Sequence, residues 1–198
     1  CTNVRDKVKS VRPCSRDLQN TAQLAGASAD HDGVNLLLLR DRQAADDIWS
    51  DEETLRIMRP DEPRVFSTYV RNFTLVAEEH LLRDGEPTDC VVAAFLGLRE
   101  GTDPADLARA LATADAAQWL ADPAFGAAVR LVVNRVDGTP PPGYDYALIV
   151  EAWYPDPAGA TCAFDATPLP ARLPRAVADC IDPARSVSLL TRVTHRRP

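Results

Sequence analysis

"DPAFGAAVRLVVNRV" at residues 122–136 is answered further along by "DPARSVSLLTRVTHR" at residues 182–196. Each stretch opens on Asp-Pro-Ala and runs on through mostly apolar residues. The residue before a proline is pushed out of the helical region, so both stretches read as strands entered by a turn from a preceding helix. Upstream of each lies another strand and a helical segment. "CVVAAFLGL" (90–98) precedes "TDPADLARALATADAAQWL" (102–120), where Thr102 or Asp103 caps, Pro104 suits the first turn, and Leu107, Leu111 and Ala114 recur at helical spacing. "YALIVEAWY" (146–154) precedes a proline-rich segment that turns helical around residues 173–180. Between the halves, "DGTPPPGYD" (137–145) is rich in turn residues and predicts a hairpin. Strand, helix, strand, hairpin, strand, helix, strand is the split βαβ order. The expected fold is therefore α+β and ferredoxin-like, one antiparallel sheet with its helices on one face, complete over residues 88–198.

The front of the chain reads as part of a second such unit. "GVNLLLLR" (33–40) predicts a strand, "QAADDIWSDEETLRIM" (43–58) a helix, and "RVFSTYVRNFTLV" (64–76) a closing strand entered through Asp61-Glu62-Pro63. Residues 1–32 are polar, with at most one weak strand around 11–18. Residues 1–80 are thus expected to form an incomplete copy that lacks its opening strand and is poorly packed at its start. The first residue is Cys1 and the only methionine is Met58, as expected of a fragment or processed form.

"HDGVNLLLLRDRQAADDIWSDEETLRIMRPDEPRVF" (31–66) resembles the second half of an EthD-type domain, a branch of the dimeric α+β barrel superfamily. "GYDYALIVEAWYPD" (143–156) is similar to the third strand of that superfamily. The resemblance implies tandem units in a barrel-like arrangement with two sheets face to face. The chain would then be a pseudo-dimer in itself, and a homodimer is compatible with that. It also implies a role among activities as varied as haem-degrading monooxygenases, lactone isomerases and polyketide cyclases, so it speaks to fold more than to chemistry. The second unit carries Asp182-Pro183 where the first has its acidic pair, and any function tied to that pair rests on Asp61 and Glu62.

Composition narrows the function. Of 198 residues 45% are hydrophobic, enough for an ordinary core, and no apolar run approaches the roughly 20 residues of a membrane span. No signal peptide is visible, so a cytoplasmic location is expected. The net charge of -7 is spread along the chain, which argues against non-specific nucleic-acid binding. Abundant Ala, Arg and Pro beside only Lys7 and Lys9 resemble a bacterial coding bias. Five cysteines without CxxC spacing indicate neither a disulfide framework nor a zinc site. There is no glycine-rich phosphate loop, GxSxG or dinucleotide fingerprint, so hydrolase and NTPase readings fall and no cofactor is expected. His31, His80 and His195 share no metal-ligand spacing, and no metal is expected. A haem monooxygenase is the remaining cofactor-dependent alternative.

If Asp137 pairs with Tyr144 across the hairpin, Arg130 stands opposite Glu151, Val132 opposite Ile149 and Asn134 opposite Ala147. Val129, Leu131, Val133, Leu148, Val150 and Ala152 then form an apolar face under the helices. Arg130, Asn134, Glu151 and Trp153 look into the barrel. Glu151 is the candidate general base, and Arg130 the catalytic partner that holds a substrate carboxylate or enolate. Trp153, Asn134 and Arg192 are candidate substrate-binding residues. The bland alternative is a structural Arg130–Glu151 ion pair. Two function classes follow: an enzyme acting on a small apolar, aromatic or polyketide-like compound, or an accessory protein that binds such a compound without turnover. A Glu151 free of Arg130 and reachable from solvent favours the first.

Overall fold

The computed structural model describes residues 4–195. The front part of the chain forms α1 (Val4–Lys7), β1 (Val8–Arg16), β2 (Gly33–Leu39), α2 (Arg42–Asp47), α3 (Arg59–Val65) and β3 (Ala77–Arg83). The remainder forms β4 (Cys90–Leu98), α4 (Pro104–Thr113), α5 (Ala116–Leu120), α6 (Pro123–Ala127), β5 (Arg130–Val136), β6 (Tyr146–Tyr154), α7 (Pro157–Ala163), α8 (Arg175–Ala178) and β7 (Ile181–Val193). Aspartates mark where helices begin. The side chains of Asp41, Asp103, Asp115, Asp122 and Asp156 each accept a bond from a backbone N–H of the first turn of α2, α4, α5, α6 and α7. Such caps satisfy donors that a helix start leaves unpaired.

The strands form one antiparallel seven-stranded sheet in the order β2-β1-β7-β4-β6-β5-β3. Its centre, β7-β4-β6-β5, has the ladder order of the split βαβ arrangement, and the α+β, barrel-like expectation holds. Cys90, Val92, Ala94 and Leu96 of β4, Leu131 and Val133 of β5, and Leu148, Val150 and Ala152 of β6 face Leu107, Trp119, Phe125, Phe164 and Val177 from the helical layer. Strand alternation sends the intervening side chains to the opposite, concave face.

Several expectations are corrected. The two Asp-Pro-Ala stretches adopt different structures. Asp122 caps α6 with Pro123 in its first turn, whereas Asp182 lies inside β7, where the ladder jumps from Phe95–Val187 to Gly97–Asp182. A proline after an aspartate suits a helix start and a bulge alike, and the flanking residues decide. Residues 64–76 are not a strand. α3 runs to Val65 with Pro60 in its first turn, Val70–Phe73 is a 3-10 turn, and the strand is β3, a polar edge element paired only with β5. The expected poor packing of residues 1–32 is also not found in their described part. β1 is paired on both sides, and Cys14, Asp17, Thr21 and Leu24 are buried.

The hairpin register differs as well. Arg130 pairs with Trp153, Val132 with Glu151 and Asn134 with Ile149. The ladder is displaced by two positions, so the face assignments survive and the pairing of Arg130 with Glu151 does not. Pro140, Pro141 and Pro142 have no N–H to extend a ladder. The loop closes instead on a bond from Tyr144 N to Pro141 O, and Asp137 N donates to Val76 O at the start of β3.

β1 is laddered to β7 over Cys14–Arg16, with bonds from Asp17 N to Leu190 O and from Thr194 N to Pro13 O flanking that ladder. Beyond that junction the β1–β2 pair turns across the concave face. Cys14, Val34 and Leu36 join Val91, Val129, Trp153 and Val193 in a second apolar cluster, and Arg42, just past β2, forms an ion pair with Asp137 at the far end of β5. In a flat sheet β1 and β6 would stand about 14 Å apart, at about 4.8 Å per strand. Contact between their side chains therefore requires a strong curl. Val91 and Ala93 are accordingly 0% exposed on a face that no helix of the second half covers. No helix among the described residues is long and apolar enough to cross a membrane.

Candidate functional site

Under the β1–β2 arm, the floor of the half-barrel carries Glu151 and Trp153 from β6 and Asn134 from β5. Asn134 Nδ2 donates to Glu151 Oε1 at 2.8 Å, and Trp153 Nε1 donates to Oε2 at 3.3 Å. Both oxygens of the carboxyl are thus held by neutral donors. Arg130 lies on the same face but turns outward, to Asp84 Oδ1 at 3.0 Å and the Gly85 carbonyl. Glu151 therefore has no ion-pair partner among the described residues. Trp153 is 1% exposed and Asn134 is buried, while Glu151 is half-buried.

Burial pushes the Glu151 carboxyl above the ordinary glutamate range. The charge of Glu79, exposed on β3 opposite Asn134, pushes the same way, while the bonds from Asn134 and Trp153 pull it back and Arg130 does so most weakly. An environment that raises a carboxyl pKa without a cation to neutralise it makes the carboxylate a stronger base than an exposed glutamate. Cys14 sits on the arm above this floor. Burial drives its thiol up to about 12, a hydrogen bond with Thr191 lowers it, and the field of Glu151 raises it. So protonated a thiol is no nucleophile.

Of the residues singled out in the sequence, Glu151, Asn134 and Trp153 come together. Arg130 shares their face without touching Glu151. Arg192 does not join them: it pairs with Cys90 across β7 and β4 on the helix-facing side, and its Nε donates to Asp17 at 2.9 Å. Asp61 and Glu62 lie in α3, away from β6. Asp61 bridges to Arg64, and buried Glu62 accepts from Val70 N. Sequence reasoning missed Arg12 and Cys14. Their signal was the alternation of Ser10, Arg12 and Cys14, which is too polar to read as a core strand. Among the described residues no three His, Cys, Asp or Glu side chains gather as a metal ion would require.

A cleft of about 400 Å³ opens beside this floor rather than on Glu151 itself. Arg42, Trp49, Arg71, Leu75, Val136 and Pro140 are among its lining residues. Val136 shares its face with Asn134, two positions along β5, so the cleft opens at the hairpin end of that face, and neither Asn134 nor Glu151 lines it. Its size is within the range of small-molecule sites.

No protein-family profile and no curated protein matches the chain. Among solved structures, the crystal structure of an anthrone oxidase-like protein is similar over 99% of this chain and 95% of that one, with 14% identity and a TM-score of 0.60. At that identity the likeness concerns the fold, and the α+β barrel-type architecture read from the ladder order is thereby found again in a second protein.

Proposed function

We propose that this protein binds a small, flat, apolar compound of aromatic or polyketide type between the arm and the floor, and exchanges a proton with it through Glu151, without a nucleotide cofactor. The observation that carries the reading is the Glu151 carboxyl itself, half-buried, fixed by two neutral donors and joined to no cation among the described residues. A carboxylate with a raised pKa is a stronger base than an exposed one. Trp153 and Asn134 position it.

The structural neighbour, described as anthrone oxidase-like, supports an aromatic ketone as substrate class. In such a reaction Glu151 would take a proton from the CH2 group between the two aryl rings. The carbanion so formed would react with dioxygen, and anthrone plus O2 would give anthraquinone plus water. A second reading, binding without turnover, is favoured by the fact that both carboxyl oxygens are already occupied.

The test is turnover of anthrone, followed by anthraquinone absorbance and oxygen uptake. The wild type is expected to form product with equal consumption of oxygen, and Glu151→Gln to lose about 10²- to 10⁴-fold in rate while still binding anthrone. Saturable binding with no turnover in either protein would support the carrier reading. Absence of binding by the wild type, or equal turnover in the variant, would overturn the assignment of Glu151.

A further inference from the structure

The arm brings one more charged side chain over the floor. Arg12 pairs with Leu36 two positions from the Cys14–Val34 pair, so it shares the face that Cys14, Val34 and Leu36 turn toward Trp153. Its guanidinium carbon stands 5.7 Å from the centroid of the Trp153 ring. Its one hydrogen-bond partner among the described side chains is Ser10 Oγ, at 3.2 Å. No carboxylate of the described residues is paired with it. By contrast Arg16, Arg130 and Arg172, whose side chains are 16%, 16% and 14% exposed, each hold an aspartate. A half-buried guanidinium has lost part of its hydration and is ordinarily compensated by an anion. Stacking over an indole recovers some of that loss and leaves the in-plane N–H donors available.

We propose that Arg12 is an anion-binding residue on the inner face of the arm, and that the natural ligand carries an ionised oxygen, as phenolate, enolate or carboxylate, on its aromatic frame. This rests on the reading that the lumen takes a small aromatic molecule, and it adds a requirement for charge. A planar guanidinium binds such an oxygen by charge-assisted, potentially bidentate bonds, while the Trp153 ring beneath it orients the fork. The ligand's acidic oxygen would lie toward the arm, and its reacting carbon toward Glu151 on the floor.

The test uses two probes of one shape, 2-naphthoate and 2-naphthamide, with affinities from calorimetry for the wild type, Arg12→Gln and Arg12→Lys. The wild type is expected to bind the carboxylate about tenfold or more tightly than the amide. Arg12→Gln should abolish that preference with the amide affinity retained, and Arg12→Lys should keep part of it. A crystal of the wild-type complex should place the naphthoate carboxylate within hydrogen-bond distance of Arg12, a readout that needs no variant to fold. Equal binding of the two probes by the wild type, or a preference that survives in Arg12→Gln, overturns the role of Arg12 and leaves the aromatic lumen standing. Binding of neither probe overturns both.

Discussion

The amide of Asn134 donates to Oε1 of Glu151 across neighbouring strands whose register sets Val132, not Asn134, directly opposite the glutamate. The contact is diagonal, and it replaces the direct Arg130–Glu151 pair that the hairpin suggested. Because no guanidinium among the described residues depends on Glu151, removing its charge leaves no buried cation unpaired. The folded state holds the Glu151 proton more tightly than the unfolded chain does. The associated stability is therefore fully present below the ordinary glutamate pKa and is lost as pH rises through the raised folded value. That loss is about 1.4 kcal/mol for each pH unit between the two values. Glu151→Gln is expected to flatten this slope, measured by urea unfolding at a series of pH values. An unchanged slope would show that Glu151 is not the group responsible.

Arg130 holds Asp84, which is 80% exposed, and the pair is open to solvent screening. Arg130→Ala is expected to cost no more than about 1 kcal/mol. It should also leave Glu151 close to its wild-type titration, since Arg130 is the weakest of the influences upon it. Carboxyl-carbon NMR of the variant would check both statements in one sample.

Lys7 Nζ and Asp51 Oδ2 meet at 2.6 Å with both side chains 5% exposed, tying the start of β1 to the segment after α2. The hydrogen bond from Lys7 holds the Asp51 carboxyl below the usual aspartate range. Stability from this pair is present above the ordinary aspartate pKa and is lost as pH falls through the depressed folded value. Lys7→Met is expected to lower the melting temperature and abolish this contribution to acid unfolding. The double variant Lys7→Met with Asp51→Leu should recover most of the loss, because it leaves no buried charge unpaired. Melting curves of the wild type and both variants decide the matter.

Burial drives the thiols of both Cys14 and Cys90 up to about 12, whereas Cys162 is exposed. Among Cys14, Cys90, Cys162 and Cys180, iodoacetamide under native conditions is expected to label Cys162 first. Cys14 and Cys90 should be labelled only on unfolding. Peptide mass spectrometry over a time course reads the order directly.

The parts of the fold legible in the sequence are those where pattern and burial coincide. β4 to β7 carry long apolar runs because their core face lies under helices, and alternation then assigned Asn134, Glu151 and Trp153 to a common face correctly. β1 and β3 escaped for opposite reasons. The inner face of β1 carries Ser10 and Arg12 beside Cys14, and Pro13 interrupts its pattern. β3 is an edge strand whose glutamates and His80 meet solvent. The helical reading of residues 43–58 is interrupted after Asp47 by a turn over residues 48–51, and the second piece passes through a π-helical stretch at Thr54–Met58 and runs on as α3 to Val65. The register slipped because a loop with three successive prolines has a length that turn chemistry alone does not fix. With it went the partner of Glu151, since two positions along a ladder change a neighbour without changing a face.

The short β1–β7 ladder, confined to the Pro13–Asp17 end of the arm, makes the molecule unequal in its cooperativity. The ladders among β4, β5, β6 and β7 do not depend on the β1–β2 arm, so the arm can lift as a separate foldon while that sheet stays closed. Native-state hydrogen exchange should then separate two populations of amides. Those of residues 8–12 and 35–39, at the free end of the arm, would exchange through a low-energy, sub-global opening with little dependence on denaturant, while residues 17–28, held by Leu24 in the main core and by bonds to Phe164 and Ser188, would not. Those of β4 and β6 would exchange only through global unfolding. A ligand seated beneath the arm would slow the first population and leave the second nearly untouched, so protection of β1 and β2 would itself report occupancy.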